Sequence, residues 1–284
     1  MPARAAEVPV LRVPHPFSGS RLLIPNPATA GDAKRTAVVM LHGSEGGSAW
    51  LIKPEADLIA SQGYAVLVLC YFDCNRGLTG PRQTLRDIDV SLIPRAISWL
   101  REQPWSNGAV ALYGFSRGAE LALIAGSLEG PDSERPSALI AHSPSDLYNS
   151  YFNWSWREPA CWLCPLGPGR CPGSVPQPAH QWNDACGPDN ERRMDFSRSA
   201  WIVDGLSVPA GRRIAVEDIS LPTLITVGEE DQTWSPDQTR RIESRMRAAG
   251  RDPEVHYFPG AGHVFGGDDE NRRRSLVLTF LARL

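Results

Sequence analysis

The sequence predicts an α/β protein with a doubly wound, mostly parallel sheet, and three observations support that fold class. Short, β-branched runs alternate with helical patterns along most of the chain. The runs are apolar at successive positions, which is typical of strands buried on both faces of a parallel sheet. The alternation of strand and helix is the order that builds such a sheet. With 284 residues, 42% of them hydrophobic, the chain is expected to form one large domain over residues 1–284.

The individual elements follow from these patterns in chain order. The strand pattern covers residues 37–43, 64–72, 108–115, 137–143, 222–229 and 254–260. The helical pattern covers residues 50–62, 85–102, 119–128, 236–249 and 270–284. Ser235, Pro236 and Gly250 punctuate the fourth helix as its N-cap, first turn and end. Pro94 interrupts the second helix, where we expect a kink or a break.

Residues 144–218 depart from this alternation. They show no strand pattern, are rich in Pro and Gly, and hold four of the six cysteines and five of the nine tryptophans. So long a loop within a compact domain is usually functional or disordered, and so many tryptophans argue against disorder. We therefore predict that this Cys/Trp-rich insertion forms a lid or cap over the edge of the sheet.

Charge and hydropathy exclude several classes of partner. The formal charge is −3 and no long block of Lys and Arg occurs, so neither nucleic acid nor anionic lipid is an expected partner. The longest apolar run, 64–72, is too short to cross a bilayer. The first residues lack the apolar core of a signal peptide, so we expect a cytoplasmic protein. The oligomeric state stays open.

The segment GFSRG, residues 114–118, follows a predicted strand and precedes a predicted helix. A G-x-S-x-G motif in that setting predicts a nucleophile elbow, in which Ser116 is exposed at the carboxyl edge of the sheet. Small residues are needed on both sides because the serine backbone is strained and the strand and helix lie close together. The alternative is a turn serine that caps the helix, so the decision rests on the remaining catalytic groups.

A serine nucleophile needs a base, and the base needs a carboxylate to orient it. Asp231 follows the fifth predicted strand and His263 follows the sixth, which is the chain order of this catalytic arrangement. Glu229 and Glu230 are neighbouring candidates for the acid. The other histidines are interpreted as structural: His15, His42, His142, His180 and His256.

The loop HGSEGG, residues 42–47, follows the first predicted strand and has the composition of an oxyanion loop. The backbone N–H groups of Ser44 or Glu45, together with that of Arg117, are the predicted oxyanion donors. A carboxylate beside a forming oxyanion is repulsive, so the Glu45 side chain is expected to point away or to hydrogen-bond the resting Ser116.

The insertion carries two further candidate sites. Four cysteines have spacings that are compatible with a weak zinc site, with disulfides, or with buried thiols, the last being the default: Cys161, Cys164, Cys171 and Cys186. Five tryptophans either line a substrate pocket or form a small core of the lid: Trp154, Trp156, Trp162, Trp182 and Trp201. Cys70 and Cys74 are interpreted as core or turn residues.

The motifs HGSEGG, GFSRGAELAL, and AVEDISLPTLITVGEEDQTW followed by FPGAGHVF resemble the α/β-hydrolases of the dienelactone-hydrolase-like group. Within that group the chain is similar to the catalytic domain of acyl-CoA thioesterases and bile acid-CoA:amino acid N-acyltransferases. The resemblance covers residues 36–130 and 214–284, and it implies that Ser116 is the nucleophile, Asp231 the acid and His263 the base. The serine nucleophile and the lack of a preceding β-sandwich favour hydrolysis over the amide-forming transfer of the cysteine enzymes.

The sequence thus predicts a serine hydrolase that cleaves a carboxylic ester or thioester of a small molecule through an acyl-enzyme, without a cofactor. One alternative is an acyltransferase that passes the acyl group to an amine or alcohol. A second alternative is a non-catalytic ligand-binding protein on the same fold.

Overall fold

The computed structural model describes residues 9–26, 28, 31, 33–47, 52–74, 85–152 and 194–284. Its centre is an eight-stranded sheet whose first two strands are antiparallel to their neighbours, while the remaining pairs are parallel. The strands are β1 Val10–Val13, β2 Arg21–Pro25, β3 Arg35–Leu41, β4 Ala65–Leu69, β6 Ser106–Phe115, β7 Ala138–His142, β12 Thr223–Gly228 and β13 Glu254–Phe258. Their order across the sheet is β1-β2-β4-β3-β6-β7-β12-β13.

Helices cover both faces of this sheet. They are α1 Ile52–Ser61, α2 Leu92–Arg101, α3 Arg117–Ser127, α4 Pro236–Ala248 and α5 Gly267–Leu281. Helices α1 and α5 pack with alternate residues of the strands, such as Val38 and Met40, on one face. Helices α2, α3 and α4 pack with the intervening residues, such as Val39 and Leu41, on the other face. The predicted α/β class with a doubly wound, mostly parallel sheet is therefore confirmed.

All six predicted strands are present in the sheet, and two further strands lie at its edge. Neither β1 nor β2 was predicted; β1 has only four residues, none of which is fully buried. Helix α2 begins at Leu92 rather than at residue 85, so Pro94 lies in its first turn. A proline there removes an N–H group that has no intrahelical partner in any case, and the expected kink or break was wrong.

The expectation that residues 144–218 contain no strand was also wrong. Short strands are present there, and none of them holds more than three consecutive apolar residues: β8 Ser150–Phe152, β9 Met194–Ser199, β10 Trp201–Val203 and β11 Leu206–Ser207. Strand β10 pairs in parallel with β5, Ile88–Asp89, and so joins the returning chain to the segment before α2. The single domain and the lid over residues 144–218 stay predictions, and residues 153–193 lie outside the described residues.

Cys70 is buried and Cys74 lies in a turn, as their interpretation as core or turn residues has it, and the two form a disulfide that was not predicted. Their Cα atoms are 5.6 Å apart, within the range that a disulfide requires, because the chain turns directly after β4. Disulfides persist mainly in oxidising compartments and are rare in cytosolic proteins. This bond therefore counts against the expected cytoplasmic location, which stays a prediction. Among the helices in the described part of the chain, none is both long and apolar enough to cross a membrane.

Candidate active site

Ser116 lies at the sharp turn between β6 and α3. Its φ of 55° and ψ of −117° place it in a strained region that non-glycine residues seldom adopt. A Cβ atom at Gly114 would overlap the Gly118 carbonyl group, and one at Gly118 would overlap the Leu41 carbonyl group at the end of β3. The two glycines therefore allow the strand, the turn and the helix to meet, as the motif predicted.

The structure brings the three predicted catalytic side chains together. His263 Nε2 lies 2.9 Å from Ser116 Oγ, and His263 Nδ1 lies 2.8 Å from Asp231 Oδ2. With the imidazole neutral, Nδ1–H donates to the carboxylate and Nε2 accepts from the hydroxyl. These three residues come from the ends of β6, β12 and β13, which lie at the same carboxyl edge of the sheet.

The acid loop distinguishes Asp231 from the neighbouring glutamates. The Asp231 side chain is fully buried, and its second oxygen, Oδ1, accepts the backbone N–H groups of Thr233 at 2.8 Å and Trp234 at 2.9 Å. Glu229 and Glu230 are exposed, and the Glu229 carboxylate faces Arg240 instead. Asp231 is thus the carboxylate that contacts the imidazole.

The glycine-rich loop after β3 passes directly beside Ser116. A Cβ atom on Gly43 would lie 3.2 Å from Ser116 Cβ. Helix α3 begins at Arg117, immediately after Ser116, so the loop and the start of the helix flank the hydroxyl. This placement is compatible with the predicted oxyanion donors Ser44, Glu45 and Arg117, whose role stays a prediction.

The Glu45 side chain folds back on its own loop. Its Oε1 accepts the N–H group of Gly43 at 3.1 Å, whereas the side-chain partners recorded for Ser116 Oγ are His263 and Trp234. Of the two expectations, a hydrogen bond to the resting serine is therefore not what the structure shows. Burial raises the pKa of the Glu45 carboxyl, which favours its neutral form beside the nucleophile.

His42 supports the same loop from below. Its Nδ1 lies 2.9 Å from the Gly43 carbonyl oxygen, its Nε2 accepts the Tyr71 N–H group, and the two rings stack with centroids 4.1 Å apart. Burial lowers the pKa of His42 to about 4, so the ring is neutral at physiological pH. This histidine fixes the loop, in agreement with its structural interpretation.

A buried ion pair lies in the first turn of the nucleophile helix, and the sequence analysis missed it. The Arg117 guanidinium pairs with the Glu120 carboxylate at 3.1 Å, and both side chains are fully buried. Glu120 also accepts the backbone and side-chain N–H groups of Asn149, at 2.8 and 3.0 Å, and the indole N–H of Trp201. The i, i+3 spacing of the pair was the available signal.

Trp234 is the second residue that sequence reasoning missed. Its indole Nε1 lies 3.1 Å from Ser116 Oγ, and the side chain is fully buried. The Arg117 guanidinium carbon lies 5.6 Å from the centre of its ring. No sequence pattern reports such a contact, because it joins residues 118 positions apart through the tertiary fold.

A cavity of about 250 Å³ lies between the sheet and the N-terminal ends of α1 and α5, and its lining includes Val264, the residue after the base. Its lining also includes Phe115, His142 and Phe265. His142 has Nδ1 at 3.0 Å from Thr226 Oγ1, and burial holds its pKa well below the ordinary value. The acidic and basic side chains at its far end pair with one another, as in the bond of Arg273 to Glu55, which leaves a mostly apolar wall.

Several predicted residues lie outside the described part of the chain. They are the tryptophans Trp154, Trp156, Trp162 and Trp182 and the cysteines Cys161, Cys164, Cys171 and Cys186. Trp201, the fifth tryptophan of the insertion, packs in the main core against Tyr71 rather than in a lid. In the ranges that the structure describes, no cluster of three or more potential metal ligands occurs.

The fold and the site together define a protein of the α/β-hydrolase fold in which a serine, a histidine and an aspartate lie in hydrogen-bond contact. The chain belongs to the family described as X-Pro dipeptidyl-peptidase (S15 family), whose model matches residues 1–158. The dienelactone hydrolase family model matches residues 205–276, which confirms the predicted resemblance to dienelactone hydrolases. The second match contains both Asp231 and His263.

Curated relatives are acyl-CoA thioesterases. The chain is 26% identical over 239 residues to acyl-coenzyme A thioesterase 6 of Mus musculus, a match that covers 82% of this chain and 49% of the relative. It is also 26% identical over 243 residues to the peroxisomal succinyl-coenzyme A thioesterase of Mus musculus, with 82% and 49% coverage. The chain thus spans about half the length of the curated relatives it matches.

Solved structures share the fold at low identity. A putative dienelactone hydrolase from Klebsiella pneumoniae superposes with a TM-score of 0.61 at 12% identity, covering 97% of this chain and 98% of that one. Thermogutta terrifontis esterase 2, phosphoramylated by tabun, superposes with a TM-score of 0.58 at 17% identity, with 96% and 94% coverage. These similarities confirm the α/β-hydrolase fold.

Proposed function

We propose that the chain hydrolyses a carboxylic ester or thioester of a small molecule through a covalent acyl-enzyme. One observation carries the proposal: the His263 ring spans the gap between Ser116 Oγ, at 2.9 Å, and Asp231 Oδ2, at 2.8 Å. Both distances are hydrogen-bond distances, so the proton of the hydroxyl has a direct route to a base whose second nitrogen is held by a buried carboxylate.

The proposed reaction has two halves. In the first, Ser116 Oγ attacks the carbonyl carbon while its proton passes to His263 Nε2, and the oxyanion forms beside the loop after β3. The tetrahedral intermediate then expels the alcohol or thiol, which takes the proton from His263. In the second half, His263 accepts a proton from water as the water attacks the acyl-enzyme, and Ser116 leaves with that proton.

The names of the relatives support the choice of acyl substrate. Acyl-CoA thioesterases cleave thioesters of coenzyme A, and a thiolate is a good leaving group for this mechanism. The S15 family description names a peptidase activity. The panel of test substrates should therefore contain an X-Pro dipeptide amide as well as esters and thioesters. The alternative of a non-catalytic binder requires no contact between the three side chains, and the contact supports an enzyme.

Substitution of the triad tests the proposal. We expect Ser116→Ala and Asp231→Asn each to lower kcat/KM for p-nitrophenyl esters or acyl-CoA by about a thousandfold or more, because nucleophile and orienting acid act as one unit. Glu230→Gln is the matched control, since its side chain is exposed one position earlier, and it is expected to stay within about twofold. Circular dichroism checks that each variant folds.

Two measurements separate the alternatives. A fluorophosphonate probe should label Ser116, and the lack of any label, together with no turnover of the panel, favours the non-catalytic binder. Product analysis with added amine acceptors distinguishes hydrolysis from transfer: free acid as the main product supports hydrolysis, whereas partition to the amide supports an acyltransferase. Loss of activity in Glu230→Gln but not in Asp231→Asn would move the acid by one residue.

A further inference from the structure

Trp234 contacts a reacting atom, although it belongs neither to the triad nor to the predicted oxyanion donors. Its Nε1–H lies 3.1 Å from Ser116 Oγ, on the same oxygen that faces His263. An indole nitrogen can only donate a hydrogen bond. Ser116 Oγ must therefore present a lone pair to Trp234, and the hydroxyl hydrogen is left to point toward His263 Nε2.

The acid loop holds the backbone of Trp234 as well as the side chain of the base. Asp231 holds the ring of His263 through Oδ2 and the backbone N–H of Trp234 through Oδ1, at 2.8 and 2.9 Å. The indole is fully buried, and the guanidinium carbon of Arg117 lies 5.6 Å from the centre of the indole ring. One carboxylate thus contacts both residues that face the serine oxygen, the imidazole of His263 and the backbone N–H of Trp234.

We propose that Trp234 is a further catalytic residue, whose indole N–H stabilises negative charge on Ser116 Oγ; this inference rests on the proposed function. As the proton leaves Oγ for His263, charge develops on the oxygen before the bond to the carbonyl carbon is complete. A preorganised donor in a buried site stabilises the charged oxygen more strongly than it stabilises the neutral hydroxyl of the resting enzyme. The second lone pair of Oγ remains for attack.

The same contact acts again when the acyl group leaves. In deacylation the bond from Oγ to the carbonyl carbon breaks, its electron pair returns to Oγ, and His263 supplies the proton. Until that proton arrives, Oγ again carries negative charge and the indole N–H stabilises it. Trp234 therefore accelerates both halves of the reaction, unlike an oxyanion donor, which acts on the carbonyl oxygen.

Trp234→Phe removes the N–H group and keeps an aromatic ring in place. We expect kcat for a p-nitrophenyl ester to fall about 10- to 100-fold with KM within about threefold, since the bond strengthens only in the transition state. The second-order rate of Ser116 labelling by a fluorophosphonate should fall by a similar factor. A residue that only packs beside the site would not move this labelling rate in a folded variant.

Trp201→Phe is the matched control, because Trp201 is also fully buried and donates its indole N–H to Glu120 rather than to a reacting atom. It should lower the thermal midpoint yet keep kcat and the labelling rate within about threefold. A folded Trp234→Phe chain that keeps both rates, or an equal loss in Trp201→Phe, overturns the inference. If the wild-type chain is labelled but turns over no ester or thioester, the proposed function is wrong. The inference about Trp234 is then decided by the fluorophosphonate labelling rates of Trp234→Phe and Trp201→Phe. A wild-type chain that is not labelled overturns both.

Discussion

His42 shows how one buried side chain links the active-site loop to pH. Its ring donates to the Gly43 carbonyl and accepts the Tyr71 N–H only in the neutral form. Burial lowers the pKa of His42 to about 4 from the ordinary 6.5. Between these two pH values the ring is protonated in the unfolded chain and neutral in the folded chain. For a base with a lowered pKa, stability is complete above the unfolded value and is lost as the pH falls toward the folded value.

The expected loss from His42 is roughly 3 kcal/mol of unfolding free energy between about pH 7 and pH 4. Urea unfolding of the wild-type chain and of His42→Phe at several pH values measures it. At neutral pH the variant should be the less stable, because it lacks both hydrogen bonds, and the difference should shrink as the pH falls. Since other acid-sensitive groups such as His142 are common to both chains, a constant difference across that range would contradict this role.

At the scale of single elements, the nucleophile elbow depends on a close approach of backbones. Gly118 lies in the first turn of α3, where a Cβ atom would overlap the carbonyl groups of Leu41 and His42. Because the obstacle is backbone rather than a flexible side chain, β3 or α3 must shift to admit a methyl group. The same shift would move the loop beside Ser116.

Gly118→Ala is therefore expected to destabilise the fold by about 2 to 4 kcal/mol and to lower kcat/KM by more than tenfold. Gly130→Ala is the control, since Gly130 is exposed and a Cβ atom there would meet nothing within 4 Å. Urea unfolding and ester turnover measure the two effects. Equal stability of the two alanine variants would contradict this prediction, because β3 or α3 would then shift to admit the methyl group without a loss of stability.

At the scale of the whole molecule, the sequence predicts the sheet and the triad because both depend on local patterns. Apolar runs mark the six parallel strands, and chain order after strand ends selected His263 and the acid loop that contains Asp231. The contacts of Trp234 with Ser116 and of Glu120 with Trp201 could not be predicted, because no sequence motif marks either pair. Strands β9 to β11 were not predicted for another reason: they have six, three and two residues, and such short segments carry little strand pattern of their own.

Glu120 connects the nucleophile helix to both ends of the segment between β7 and β10. It pairs with Arg117, accepts two N–H groups of Asn149 on the outgoing chain, and accepts the indole N–H of Trp201 on the returning chain. A fully buried carboxylate at such a junction compensates the Arg117 charge and holds the two chain ends against α3. Loss of its charge should therefore affect the stability of the whole domain rather than only the first turn of α3.

Glu120→Gln is expected to lower the unfolding free energy by about 3 to 5 kcal/mol, because the buried Arg117 guanidinium then loses its carboxylate partner. Glu134→Gln, at an exposed position, is the control and should stay within about 0.5 kcal/mol. Urea unfolding measures both, and limited proteolysis should cut the Glu120→Gln chain faster near residues 198–201, where Trp201 loses a charged acceptor. A change below about 1 kcal/mol with unchanged proteolysis would mean that the sheet alone holds the returning chain in place.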